Sequence, residues 1–229
     1  MGLFSFIIDN KEILKLFYGL IISLICLIIV IKSDRLFRIS LHKGIRYFRN
    51  AFLFYTLAFI SRYILGANLF YNLVSPDYHF FVGIAFEFFI ITAGFFLLYS
   101  LLWKKIESVE EDYKSSLLNT KIILFYLMAI VLVILDFSWK TFVLMFTSQI
   151  ITFSLATAIS YINYIKNKKG HKFPKFYFVA MVLSLIAWVL NALSALYLNW
   201  TKGILIDVYV INILTFLLFL YGVIIVTKK

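Results

Sequence analysis

Residues 14–31 read LKLFYGLIISLICLIIVI, and residues 32–49, which follow directly, read KSDRLFRISLHKGIRYFR. The first stretch has one charge, Lys15, near its start; the second carries six lysines and arginines. A helix rises about 1.5 Å per residue, so crossing a hydrocarbon core of about 30 Å takes roughly 20 apolar residues. Residues 14–31 therefore read as a membrane span. The basic stretch behind them reads as a short connection held on the cytoplasmic side.

The same alternation recurs along the chain. Seven apolar runs stand out, at about 14–31, 48–70, 80–103, 122–137, 142–165, 176–198 and 204–226. The fourth is the shortest, and only Ser138, Trp139 and Lys140 separate it from the fifth; together the two are too long for one span. Barrel strands of about ten alternating residues do not fit unbroken runs of this length. The expected fold is an all-α integral membrane protein, a single seven-transmembrane-helix bundle over residues 1–229.

Orientation follows from the basic residues. Lys32, Arg35, Arg38, Lys43, Arg46 and Arg49 lie in the first break, Lys104, Lys105, Lys114 and Lys121 in the third, and Lys166, Lys168, Lys169, Lys172 and Lys175 in the fifth, with Lys228 and Lys229 at the tail. Lys11, Lys15, Lys140 and Lys202 fall on the other face. With seven spans every basic break lies on one side, which predicts an N-terminus outside and a C-terminus in the cytoplasm of a cell membrane. Trp103, Trp139 and Trp200 fall at span ends, where indoles favour the lipid–water boundary. Trp188 falls inside span six and reads as a packing or pocket residue.

Composition agrees: 63% of the 229 residues are hydrophobic, 20% aromatic and 14% charged, against about 25% charged in soluble domains. A soluble core of this size leaves too much surface exposed to hide so much apolar area, so the partner implied is the lipid bilayer. The net charge of +11 is distributed as topology demands, and no nucleic-acid-binding fold fits. The N-terminus lacks the basic region and small-residue cleavage site of a signal peptide, so span one is expected to remain a membrane helix. Phe6 stands where a myristoylation signal needs Ser or Thr. Asn199, Trp200 and Thr201 form a glycosylation sequon on the outer side.

Catalytic chemistry finds no foothold. Three histidines, His42, His79 and His171, lie in or near the breaks, and Cys26 is the single cysteine, so no zinc site, catalytic Ser–His pair or phosphate-cradling glycine loop is expected. The expectation is a non-enzyme with no cofactor. The seven-span topology resembles that of microbial rhodopsins and the large seven-helix receptor families. Span seven has no lysine for a retinal Schiff base, however, and no receptor signature is present, so the resemblance carries no residue across.

Polar residues inside the spans carry the functional signal, because ionisable groups cost several kcal/mol in hydrocarbon unless partnered or hydrated. Arg62 and Glu87 both fall about 10 to 12 Å deep in the outer half, close enough in depth to pair. Asp136 and Asp207 are shallower. Asn68, Thr147, Ser148, Gln149, Asn191, Ser194 and Asn212 fall in the same half. Arg62, Glu87, Gln149, Asn191 and Asn212, with Trp188 as an apolar wall, are expected to line an outward-opening pocket for a small polar or anionic ligand. The alternative is a helix-fastening Arg62–Glu87 ion pair with interhelical amide hydrogen bonds.

The breaks are the expected docking places for a cytoplasmic protein partner. Residues 33–49 have the mixed apolar and basic pattern of an interfacial helix, and Glu107, Glu110, Glu111 and Asp112 read as a solvated extension of span three. A shift of 129 residues aligns Arg62 with Asn191 and His42 with His171, a thin hint of a three-plus-one-plus-three transporter. The functional readings are a receptor-like or sensory protein signalling through separate cytoplasmic partners, a small carrier or channel, and a structural or assembly subunit of a membrane complex.

Overall fold

In hydrocarbon no water is present to satisfy backbone N–H and C=O groups, so an apolar run of span length stabilises itself as a helix. The computed structural model describes residues 10–66, 76–106, 120–139, 141–166, 172–197 and 202–227 and is helical throughout them apart from Asn10, Leu41, His42, Gly66, Thr141, Phe142 and Tyr197. Its helices are α1 (Lys11–Ser40), α2 (Lys43–Phe59, continuing as the π-helical segment Ile60–Leu65), α3 (Pro76–Ile106), α4 (Thr120–Trp139), α5 (Val143–Lys166), α6 (Lys172–Leu196) and α7 (Lys202–Thr227). Six of the seven are long and apolar enough to cross a membrane. In α2 the α-helical part has 17 residues before the π segment begins. Runs four and five are separate helices, as expected. The sequon at Asn199, the acids from Glu107 to Asp112, Asn68 and His171 lie outside the described residues.

Helix ends follow local chemistry. The Asn10 side chain accepts from the backbone N–H groups of Glu12 and Ile13, at 3.2 and 3.4 Å, and so caps the start of α1. The interfacial helix expected over 33–49 is not a separate element: α1 runs on to Ser40 and α2 begins at Lys43. Only a two-residue turn separates them, with Leu41 left-handed at φ 50° and its N–H bonded to the Phe37 carbonyl at 2.8 Å. The basic residues here fasten the hairpin. Asp34 on α1 accepts from Arg38 at 2.9 Å and from Arg49 on α2, while Arg46 and Arg49 lie 5.8 and 5.9 Å from the Phe37 ring centre.

Helices consecutive in the chain run antiparallel, whereas α1 and α7, whose starts meet, run parallel. Tyr18, near the start of α1, meets Tyr63 at the end of α2 and Tyr209 near the start of α7; His42, just before α2, meets Trp103 near the end of α3. The packed pairs are α1 with α2, α2 with α3, α3 with α5, α5 with α6, α6 with α7, and α7 with α1. Six helices thus close a ring. α4 stands outside it against α3 and α5, presenting Leu124, Leu127, Val131 and Ile134, each more than half exposed, to the surroundings. That spacing is one unbroken apolar stripe, which a helix in lipid tolerates and one in water does not.

Candidate functional site

The six-helix ring encloses a cavity of about 70 Å³. Tyr18 reaches it from α1, Tyr55, Phe59, Arg62 and Tyr63 from α2, Phe86 and Ile90 from α3, Phe146 from α5, Trp188 and Asn191 from α6, and Asn212 and Phe216 from α7. No described side chain of α4 lines it. The lining is mainly aromatic.

Arg62 is placed by the π-helical turn, in which the Gly66 N–H bonds back five residues to the Ser61 carbonyl at 2.9 Å. Such wide turns shift side-chain phase locally and recur at functional sites. Here Arg62 and its neighbour Tyr63 both line the cavity. The guanidinium carbon lies 4.5 Å from the Phe86 ring centre and 5.9 Å from that of Tyr63, cation–π distances. Arg62 is exposed as well as cavity-lining, so its charge stands where the cavity meets the outside of the bundle.

Close by, Tyr18 stacks on Tyr209 with ring centres 3.7 Å apart, and its hydroxyl oxygen accepts from Asn212 Nδ2 at 2.9 Å. Asn191 Nδ2 donates to the Ala187 carbonyl one turn back at 2.7 Å, a bond within its own helix. Trp188 lies 6.3 Å, centre to centre, from each of Phe146 and Phe153. Deeper, the buried Tyr55 hydroxyl has no hydrogen-bond partner. Towards the opposite end Phe48, Phe52, Tyr177 and Phe219 close the bundle, with ring centres 4.7 to 6.2 Å apart.

The structure divides the six residues nominated from sequence. Arg62, Trp188, Asn191 and Asn212 line the cavity; Glu87 and Gln149 do not. The reason is helical phase. Phe86 and Glu87 are successive residues of α3 and point about 100° apart, so Phe86 facing the cavity turns Glu87 away from it. Glu87 is fully buried, and neither carboxyl oxygen has a hydrogen-bond partner, Arg62 included. The ionisable groups that act on it are Asp136 and Arg62. Gln149, also fully buried, donates from Nε2 to the Ile90 carbonyl at 3.1 Å and sits against Gly94, where an added Cβ would come 2.7 Å from its Oε1. It is a helix-to-helix fastener between α3 and α5.

Asp136, read from the sequence as shallower than Arg62 and Glu87, lies near the end of α4. It is fully buried and bridges α4 to α5. Its Oδ1 accepts from the Leu144 N–H at 2.9 Å and from Thr141 Oγ1 at 3.1 Å, and its Oδ2 from the Met145 N–H at 2.6 Å. Phe142, at the cap position of α5, has no acceptor in its side chain, so the end of the preceding helix supplies one. The tyrosines of the cavity carry no such signal: with 26 Phe and 15 Tyr in the chain, nothing in the pattern distinguishes those that face inward.

No family model matches the chain, and neither a curated protein nor a solved structure matches it. What the helices define is a class: a multi-pass helical membrane protein with a cavity inside its bundle.

Proposed function

We propose that this chain is a seven-span, receptor-like membrane protein, N-terminus outside and C-terminus in the cytoplasm, that binds a small ligand in the cavity and signals through a separate cytoplasmic protein. The observation that carries the reading is the shared cavity wall. Five helices of the ring place Arg62, Tyr18, Trp188, Asn191, Asn212 and Phe86 around one space, so a ligand there touches most of the bundle at once. Small helix shifts are a known way to pass such an event to the far side. The antiparallel packing of α2 between α1 and α3 supports a seventh crossing, and the basic residues support the orientation.

A carrier is the second reading. It is favoured by the position of α4 outside a ring made of α1–α3 and α5–α7, which is a three-plus-one-plus-three layout. The aromatic closure of Phe48, Phe52, Tyr177 and Phe219 weighs against it, because transport needs a path through that end. A thermal-shift screen of purified protein against metabolites, lipids and ions tests the pocket, since a ligand of the folded state raises apparent stability by mass action. The expected result is a stabilising ligand whose effect is lost in Trp188→Leu or Asn212→Leu. Ligand flux in proteoliposomes would replace the receptor reading with the carrier. A ligand whose stabilisation persists in both variants would place binding elsewhere.

A further inference from the structure

We propose that the ligand of this cavity is a compact organic anion: a single carboxylate or similar head held by Arg62, with a short apolar body lying among the rings. The inference rests on the receptor-like reading above and names its ligand class. Three observations carry it. First, among the described residues the lining has one formal charge, the Arg62 guanidinium, which lies against the Phe86 and Tyr63 rings and has no carboxylate hydrogen-bonded to it; the nearby acid, Glu87, is turned about 100° round α3 from the cavity-facing Phe86. A cation left with aromatic faces keeps its N–H donors for an incoming anion, and a guanidinium matches a carboxylate in a paired, two-bond geometry.

Second, the remaining wall is rings. Phe59, Phe86, Phe146, Trp188 and Phe216 give an apolar body somewhere to pack, and the unpartnered Tyr55 hydroxyl lies two helical turns from Arg62 at the deep end. A small hydrophilic anion such as phosphate gains nothing from that surface, and an uncharged hydrocarbon leaves the guanidinium unanswered. Third, about 70 Å³ is room for roughly five waters and less than half of the roughly 150 Å³ that holds a benzene, so the enclosed body of the ligand is a few carbons long. A two-chain lipid is several times too large.

The probe is butyrate, compared with its neutral amide, with butylamine, and with the straight-chain acids of five to eight carbons. Binding is measured by calorimetry on wild-type protein in nanodiscs of zwitterionic lipid. The acid is expected to bind roughly tenfold or more tightly than the amide, the difference one charge-assisted pair makes, and the amine not to bind. Arg62→Gln is expected to lower acid affinity to that of the amide, Arg62→Lys to keep part of the preference, and melting curves show whether each variant is folded. Equal binding of acid and amide in the wild type overturns the anion assignment and leaves the cavity as a ligand site. Absence of binding by every acid and by the amide overturns both the assignment and the reading it rests on.

Discussion

Asp136 shows how much one side chain settles in this bundle. Its carboxyl satisfies two N–H groups at the start of α5, one of them buried, that the helix itself leaves without partners. Asp136→Ala is therefore expected to destabilise the protein by about 1 to 2 kcal/mol, with Asp136→Asn intermediate. Glu87 is the opposite case. Its oxygens have no partner and it faces Asp136, so Glu87→Gln keeps the shape, removes one of two facing carboxyls, and is expected to be neutral or stabilising. Melting curves in one detergent check the order. Strong destabilisation by Glu87→Gln, rescued by a second change at Arg62, would restore the ion-pair reading. None of this was legible in the residues alone: Arg62 and Glu87 stand at matching depths, but depth along a helix says nothing about direction around it.

Among the elements, α2 is the one whose geometry departs most from an ideal helix. Its π segment brings Tyr63 hard against Gly19 of α1, where an added Cβ would fall on the tyrosine Cβ. Close approach of this kind is what small residues permit between membrane helices. Gly19→Ala is expected to cost about 1 to 3 kcal/mol, as overpacking typically does. Tyr63→Gly in the same chain, which removes that Cβ, should recover part of that loss, a coupling that marks direct contact. Additive effects in a denaturant or thermal series would mean that α1 and α2 are not so tightly joined. The apolar runs announced these helices in sequence, since length and composition alone make a span. They did not announce the π turn, which has no composition of its own, nor the extension of α1 through charged residues to Ser40.

The described helices form a ring of six with α4 outside, and the proposed seven crossings make a prediction about the termini. An odd number of spans puts them on opposite sides of the membrane. Cys26, the single cysteine, is fully buried, so an added cysteine reports its own position. With a membrane-impermeant maleimide on intact cells, Gly2→Cys is expected to label directly and Lys229→Cys only after permeabilisation. Labelling of both from one side would mean an even number of spans.

By itself the sequence determined that this is a helical membrane protein, where its helices lie, and which residues are too polar for their depth. Those are matters of composition and length, and the bilayer reads them one segment at a time. Only the tertiary structure decided that Arg62, Trp188, Asn191 and Asn212 share a cavity while Glu87 and Gln149 pack elsewhere, and that Asp136 caps the helix after its own. Those outcomes depend on the rotation of each helix about its axis and on which helices touch. In an apolar chain with aromatic residues on every face, no single segment contains that information.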